Sequence, residues 1–318
     1  MSRLAPALAA VLLAACAGDV VGDLPSPPTP VITASASPQG EDGVAAEIAV
    51  EGSPCYLAEA SGRVWVTAFD GNELAEIDPA TNEVVDTHPM PDGPCGVVAV
   101  DEILWITTAN GTVVRFDARR ARELDRLRID GGIVALVSAP SGIWGLAQGS
   151  QAVLHLDPGS GRVVGRVPIE PPLAGIAADG DQVWTVSGRE ELVRIDPAAH
   201  LIVERIRLES YEPEGITIDG RYLWVSSSFE AVVLRVDTRT GRVRDRVETD
   251  SPLFGGIVIG DSFWASGNDG TLYRLDAGSG QVVEARELLG FGPVPAAGNL
   301  WTVDFLSDAV YRLPDPAP

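Results

Sequence analysis

All seven tryptophans of this chain fall on one period. Trp65, Trp105, Trp144, Trp184, Trp224, Trp264 and Trp301 are separated by steps of 40, 39, 40, 40, 40 and 37 residues. A repeat of about 40–45 residues marks a β-propeller, in which each repeat is one four-stranded blade. The period therefore predicts an all-β fold, a seven-bladed β-propeller of four-stranded blades. Closed all-β rings of this size run as single domains, so 318 residues do not call for two.

The repeat around Trp224 shows how one blade is written. Residues 214–219 alternate apolar and polar and predict an inner strand. Gly220-Arg221 makes a turn, and residues 222–226 predict the second strand. Residues 232–236 predict the third, and residues 242–247 the outer strand. Between the last two, Asp237-Thr238-Arg239-Thr240-Gly241 pairs an Asp that bonds its own backbone with a Gly that accepts positive φ. The same order recurs, with Asp78, Asp117, Asp157, Asp196 and Asp276 ending the other third strands. The tryptophans sit in second strands, where a large flat side chain packs between blades as core. The last repeat supplies only three strands, residues 294–297, 300–303 and 309–313. An unmatched alternating segment, residues 45–50, precedes the first repeat. It is expected to pair as the outer strand of the last blade, closing the ring and covering an exposed sheet edge.

The beginning of the chain has a different character. Arg3 precedes an apolar run over residues 4–15 that is too short for a permanent bilayer span. Residues 1–15 therefore predict a signal peptide. Residues 16–43 are rich in Pro, Ser and Ala without a hydrophobic period and predict a tether. Extended as polyproline II, the tether reaches roughly 80 Å. Residues 44–318 are left for the propeller. The segment Leu13-Ala14-Ala15-Cys16 resembles the lipobox of bacterial lipoproteins. That resemblance implies cleavage before Cys16, a diacylglyceryl group on its thiol and an acylated new N-terminus. It implies an extracytoplasmic protein anchored to a bacterial membrane, at the cell surface or on the periplasmic face. By the same resemblance, Ala17 after the cysteine favours the outer of two membranes.

A net charge of -22 excludes the basic footprint that nucleic-acid binding needs. It also favours a soluble monomer. In the predicted strand order, outer-to-inner and second-to-third connections share one face of the ring. The candidate ligand-binding residues on that face are Asp70, Glu212, Glu214, Phe254, Asp269 and Asp304. Acids with a few aromatics suit a cationic ligand, or a hard ion such as Mg²⁺ or Ca²⁺. The plain alternative is a solvated acidic rim. Cys55 and Cys95 lie one repeat apart, after Pro54 and Pro94, at equivalent inner-strand positions. They read as a disulfide if their Cα atoms lie within about 7 Å, as two buried thiols, or as a soft-metal pair. Of three histidines, His155 falls in a third strand, His200 in a turn on the opposite face, and His88 near the candidate face. No Ser/His/Asp set, zinc cluster or phosphate loop appears, so no catalytic residue, metal ligand or cofactor is assigned.

Pro213-Glu214-Gly215-Ile216 leading to Leu223-Trp224-Val225, with turns such as Asp157-Pro158-Gly159-Ser160-Gly161, resembles the bacterial YVTN/NHL-like propellers. The likeness is to the virginiamycin B lyase (streptogramin lyase) group in particular. It covers residues 52–313. It implies the same scaffold and, in the lyases, a magnesium-assisted site with a histidine and a glutamate on the channel face. No histidine follows His200 here, so no catalytic residue is carried over. The leading expectation is a binding or scaffolding module for an envelope protein or a small-molecule ligand. The alternative is a metal-dependent lyase or lactone hydrolase using the face carboxylates.

Overall fold

The computed structural model describes residues 43–314 except 172, 181, 188, 189, 209, 210 and 289. The signal peptide, Cys16 and the tether lie outside the described residues. The chain forms seven four-stranded antiparallel sheets arranged as blades around a ring. The inner strands are Pro54–Ala60, Pro94–Val100, Ala135–Ala139, Ile176–Asp179, Gly215–Asp219, Leu253–Ile259 and Phe291–Ala296. Blades 1 to 7 are numbered in that order. Each of the first six runs inner to outer in sequence, ending in outer strands from Glu83–Pro89 in blade 1 to Val282–Glu287 in blade 6.

Blade 7 is completed from the other end of the chain. Ala46–Ala49 pairs with Ala309–Leu313, with Ile48 opposite Val310. Ile48 and Val50 enter the same buried cluster as Trp301, Val303 and Val310, together with Leu57, Val64 and Val66 of blade 1. The seal is thus apolar as well as hydrogen-bonded. One boundary differs from the sequence expectation by more than one residue. The inner strand of blade 7 begins at Phe291 rather than residue 294, because Gly292 and Pro293 sit where the register shifts between Phe291 and Val294. At such a bulge a proline forfeits no ladder hydrogen bond, and Gly292 supplies a φ of 59°.

Every tryptophan is at most 4% exposed, and each packs forward onto the following blade. Trp184 of blade 4 shares a cluster with Leu223, Val225 and Leu234 of blade 5. Trp224 stacks on Phe263 of blade 6, centroids 4.6 Å apart at 8°. Trp301 joins the blade 1 residues named above. The core is therefore a ring of interblade seams, and the 40-residue period is the spacing of those seams. In blades 1 to 6 the Asp that ends the third strand caps its turn. Asp78 Oδ1 accepts from Ala80 N at 2.8 Å, and Asp237 Oδ1 from Arg239 N at 2.9 Å and Thr240 N at 3.2 Å. The turns close on a positive-φ residue, such as Asn82, His200 or Gly241.

Candidate functional site

Outer-to-inner and second-to-third connections do meet on one face, termed upper below. Phe69 N donates to Ser53 O at 2.9 Å, Asn268 N to Pro252 O at 2.9 Å, and Gly93 N to Asn72 Oδ1 at 2.8 Å. Each pair of loops is thereby tied into one rim.

At the channel mouth one position recurs ten residues before each tryptophan, at the start of each inner strand. It holds Cys55, Cys95, Val134, Ala174, Glu214, Phe254 and Phe291. Cys55 and Cys95 are disulfide-bonded, with Cα atoms 5.1 Å apart, so blades 1 and 2 are joined covalently here. Phe254 and Phe291 meet edge to face, centroids 5.1 Å apart, and tie blade 6 to blade 7. Glu214 is the only charged member. Sequence reasoning saw the equivalence of the two cysteines. It missed that Glu214 and Phe254 occupy the same register position, although the ten-residue offset was there to be read.

The other candidates scatter. Asp70, on the rim of blade 1, accepts from Ser53 Oγ at 2.7 Å. Glu214 is half-buried and its Oε2 accepts from Ser228 N at 3.2 Å. Glu212 is exposed beside it, its N–H donating to Glu230 Oε1 at 3.1 Å. Asp269 is exposed and accepts from Thr271 N at 3.0 Å. Asp304 is 1% exposed and holds the 305–308 loop from beneath, accepting from Leu306 N at 3.0 Å and Ser307 N at 3.3 Å. Its Oδ2 is buried without a hydrogen bond. Burial first, and then the charges of Asp304 and Glu47, push the neighbouring Tyr311 hydroxyl up to about 12. Tyr211, in the loop that leads to the inner strand of blade 5, is buried, and its hydroxyl donates to Val225 O or Val232 O, at 3.1 and 2.8 Å. His88 lies toward the upper end of an outer strand, but its ring packs between Trp65 and Phe116 at 5.6 and 5.1 Å. Among the described residues, no three His, Cys, Asp or Glu side chains gather as a metal-binding group.

What the face does present is an excess of exposed acids, only some of them met by strand-end arginines such as Arg207 on Glu190 and Arg246 on Glu230. Asp70, Asp92, Asp130, Glu212, Asp250 and Asp269 are all exposed on its loops. None of the described loop residues on this face is Arg, Lys or His. Phe229 and Leu306 stand out from it at 70% and 68% exposure, the highest of the large exposed hydrophobics. This arrangement attracts cations, and it offers two apolar anchors, one in blade 5 and one in blade 7.

No family model matches this chain, and no curated protein matches it in sequence. Solved structures of similar shape include hydrazine synthase of Kuenenia stuttgartiensis, with a TM-score of 0.70 and 15% identity over 84% of this chain and 97% of that chain. BamB from Moraxella catarrhalis superposes with a TM-score of 0.65 and 14% identity, over 85% of this chain and 99% of that one. The computationally designed Ika8 protein gives 0.62 and 12% identity, over 86% and 100%. At these identities the likeness is one of fold, and no sequence match supports the resemblance to the streptogramin lyase group.

Proposed function

We propose that this chain is a lipid-anchored extracytoplasmic binding module that docks a protein partner on its upper face. The observation that carries the reading is the acidic rim, whose described loop residues include no Arg, Lys or His, with Phe229 and Leu306 projecting from it. A few anchor side chains that become buried at the centre of the contact carry most of the binding energy of a protein interface. A mainly acidic rim steers an oppositely charged partner and fixes its register. The partner presents a basic surface with apolar pockets. The anchor rests on Leu13-Ala14-Ala15-Cys16, and the tether gives the propeller room to meet a partner away from the membrane.

Two changes test the two halves separately. In the full chain, Cys16→Ser moves the protein from the membrane to the soluble fraction. The double change Phe229→Asp with Leu306→Asp abolishes recovery of the partner after cross-linking in intact cells, with the melting temperature unchanged. Undiminished recovery from the double variant would sink the docking half.

A further inference from the structure

The 23 basic residues of this chain are all arginines. Five of them, Arg115, Arg194, Arg235, Arg274 and Arg312, stand on third strands directly opposite a tryptophan. Each guanidinium lies over its indole, from 5.2 Å for Arg115 to 5.8 Å for Arg194 and Arg312. From that shelf the forks of Arg312 and Arg235 reach the third-to-outer turn of the next blade, on the face opposite the acidic rim. Arg312 donates to Pro79 O and Asn82 Oδ1, both at 2.8 Å. Arg235 donates to Ala277 O and, at 2.8 Å, to Gly278 O. Arg115 lies against Gly161, where an added Cβ would fall 3.1 Å from its Nη1. In blade 3 a histidine replaces the arginine, and His155 bonds His200 of the next turn at 2.8 Å. The device is an interblade latch.

At the seam between blades 4 and 5 the latch stays open. Arg194 has its Nε on Glu204 at 2.9 Å, and its Nη groups have no hydrogen-bond partner among the described residues. The turn it faces presents Arg239, exposed, whose side chain likewise has no partner among the described residues. Arg221 closes the far side, with Nε on Asp237 at 2.8 Å. Between them lies a groove of about 690 Å³, lined also by Gln182 and Thr238. Glu204 pairs with Arg194 and Asp237 with Arg221, which leaves Arg239 as the guanidinium of the groove with no carboxylate partner among the described residues. The seam between blades 6 and 7 is open too, at about 320 Å³, for another reason. Blade 7 has no third-to-outer turn, because its outer strand comes from the other end of the chain. There Arg274 donates to Ser262, and Asp261 and Asp276 line the space, so anions are repelled.

We propose that the groove between blades 4 and 5 binds a phosphate group carried by a larger molecule, whose oxygens bridge Arg194 to Arg239 and complete the missing latch. Guanidinium forks match the paired oxygens of an oxyanion, and the volume leaves room for the rest of the ligand. The site is independent of the acidic rim and of whatever docks there.

The test is thermal unfolding of the full chain in inorganic phosphate against chloride at equal ionic strength. At several times Kd, phosphate raises the wild-type melting temperature by about 2–4 °C beyond its effect on Arg239→Gln or Arg194→Gln. A general salt effect raises all variants alike, so the difference is the readout. Arg120→Gln, which removes an arginine paired with Asp117 on the same face, keeps the full rise. Repeating the series with glycerophosphoglycerol and with a sugar phosphate separates a lipid headgroup from a soluble metabolite by whichever gives the larger rise. Equal rises in wild type and both groove variants, or none in any, overturn the proposal.

Discussion

Asp237 and its equivalents show how much one side chain per blade decides. The carboxylates of Asp157 and Asp276 sit below the usual range first through the hydroxyls of Ser160 and Ser279. Backbone N–H groups, that of Ala199 above all, do the same for Asp196, and the guanidiniums of Arg120 and Arg221 do so for Asp117 and Asp237. A carboxylate depressed in the fold contributes stability above its ordinary value of about 4 and loses it as pH falls through the folded value. Asp157→Ala should lower the melting temperature by a few degrees at neutral pH, from the loss of the turn's hydrogen bonds to Ser160. The gap to wild type should narrow in acid, which a melting series against pH would show. His155 behaves with the same sign nearer neutrality. Burial first, and then the adjacent His200, lower its pKa from 6.5. Its neutral form is the native one, accepting from His200 while donating to Ser141 O. Stability is complete above the ordinary histidine value and falls as pH drops below it. Between about pH 7 and pH 5 the wild type should lose melting temperature that His155→Gln does not lose. The capping aspartates were legible from their recurrence at the ends of third strands, three of them in Asp-x-x-x-Gly turns. Asp304 was not, because an acid at a strand end reads the same whether it faces solvent or holds a loop from beneath.

At the scale of the blade, the period of the sequence and the period of the packing are one quantity. Each tryptophan leaves its own sheet and fills the next seam, so Trp224→Ala opens a cavity between blades 5 and 6 and should cost about 3–5 kcal/mol by chemical denaturation. A smaller loss would mean that the seam collapses around the gap. The bond between Cys55 and Cys95 closes a loop with a sequence separation of 40. Replacing both with serine should cost about 2–4 kcal/mol, and adding reductant to the wild type should reproduce the loss. Strand order was readable because turn residues recur between alternating runs. The bulge at Gly292 and Pro293 was not, since a proline near a strand start equally marks the residue after which pairing begins. The open seam at Arg194 was also hidden. It depends on meeting Arg239, 45 residues later, across a blade boundary.

For the whole molecule, two consequences follow from closing a ring with Ala46–Ala49. Removing residues 1–50 takes away the outer strand of blade 7 and uncovers the edge of Ala309–Leu313, so unfolding should broaden and the protein should associate in solution. A sharp, unchanged transition would mean that the other three strands of blade 7 suffice. The second consequence is polarity. The rim made by outer-to-inner loops is acidic and free of bases among the described residues, while the opposite face carries arginines such as Arg119, Arg120 and Arg239. That the loops would differ in chemistry from the repeated strands was legible. Which side chains project was not, because Phe229 and Tyr211 look alike in sequence and only Phe229 reaches solvent. The most direct measurement is photo-cross-linking in intact cells, with the photoreactive residue placed in turn at positions 229, 306 and 239 of the full chain. A single partner adduct from 229 and 306, weakened by added salt and missing from 239, is expected of an acidic docking face. Adducts of equal yield from all three positions, or from 239 alone, would contradict it.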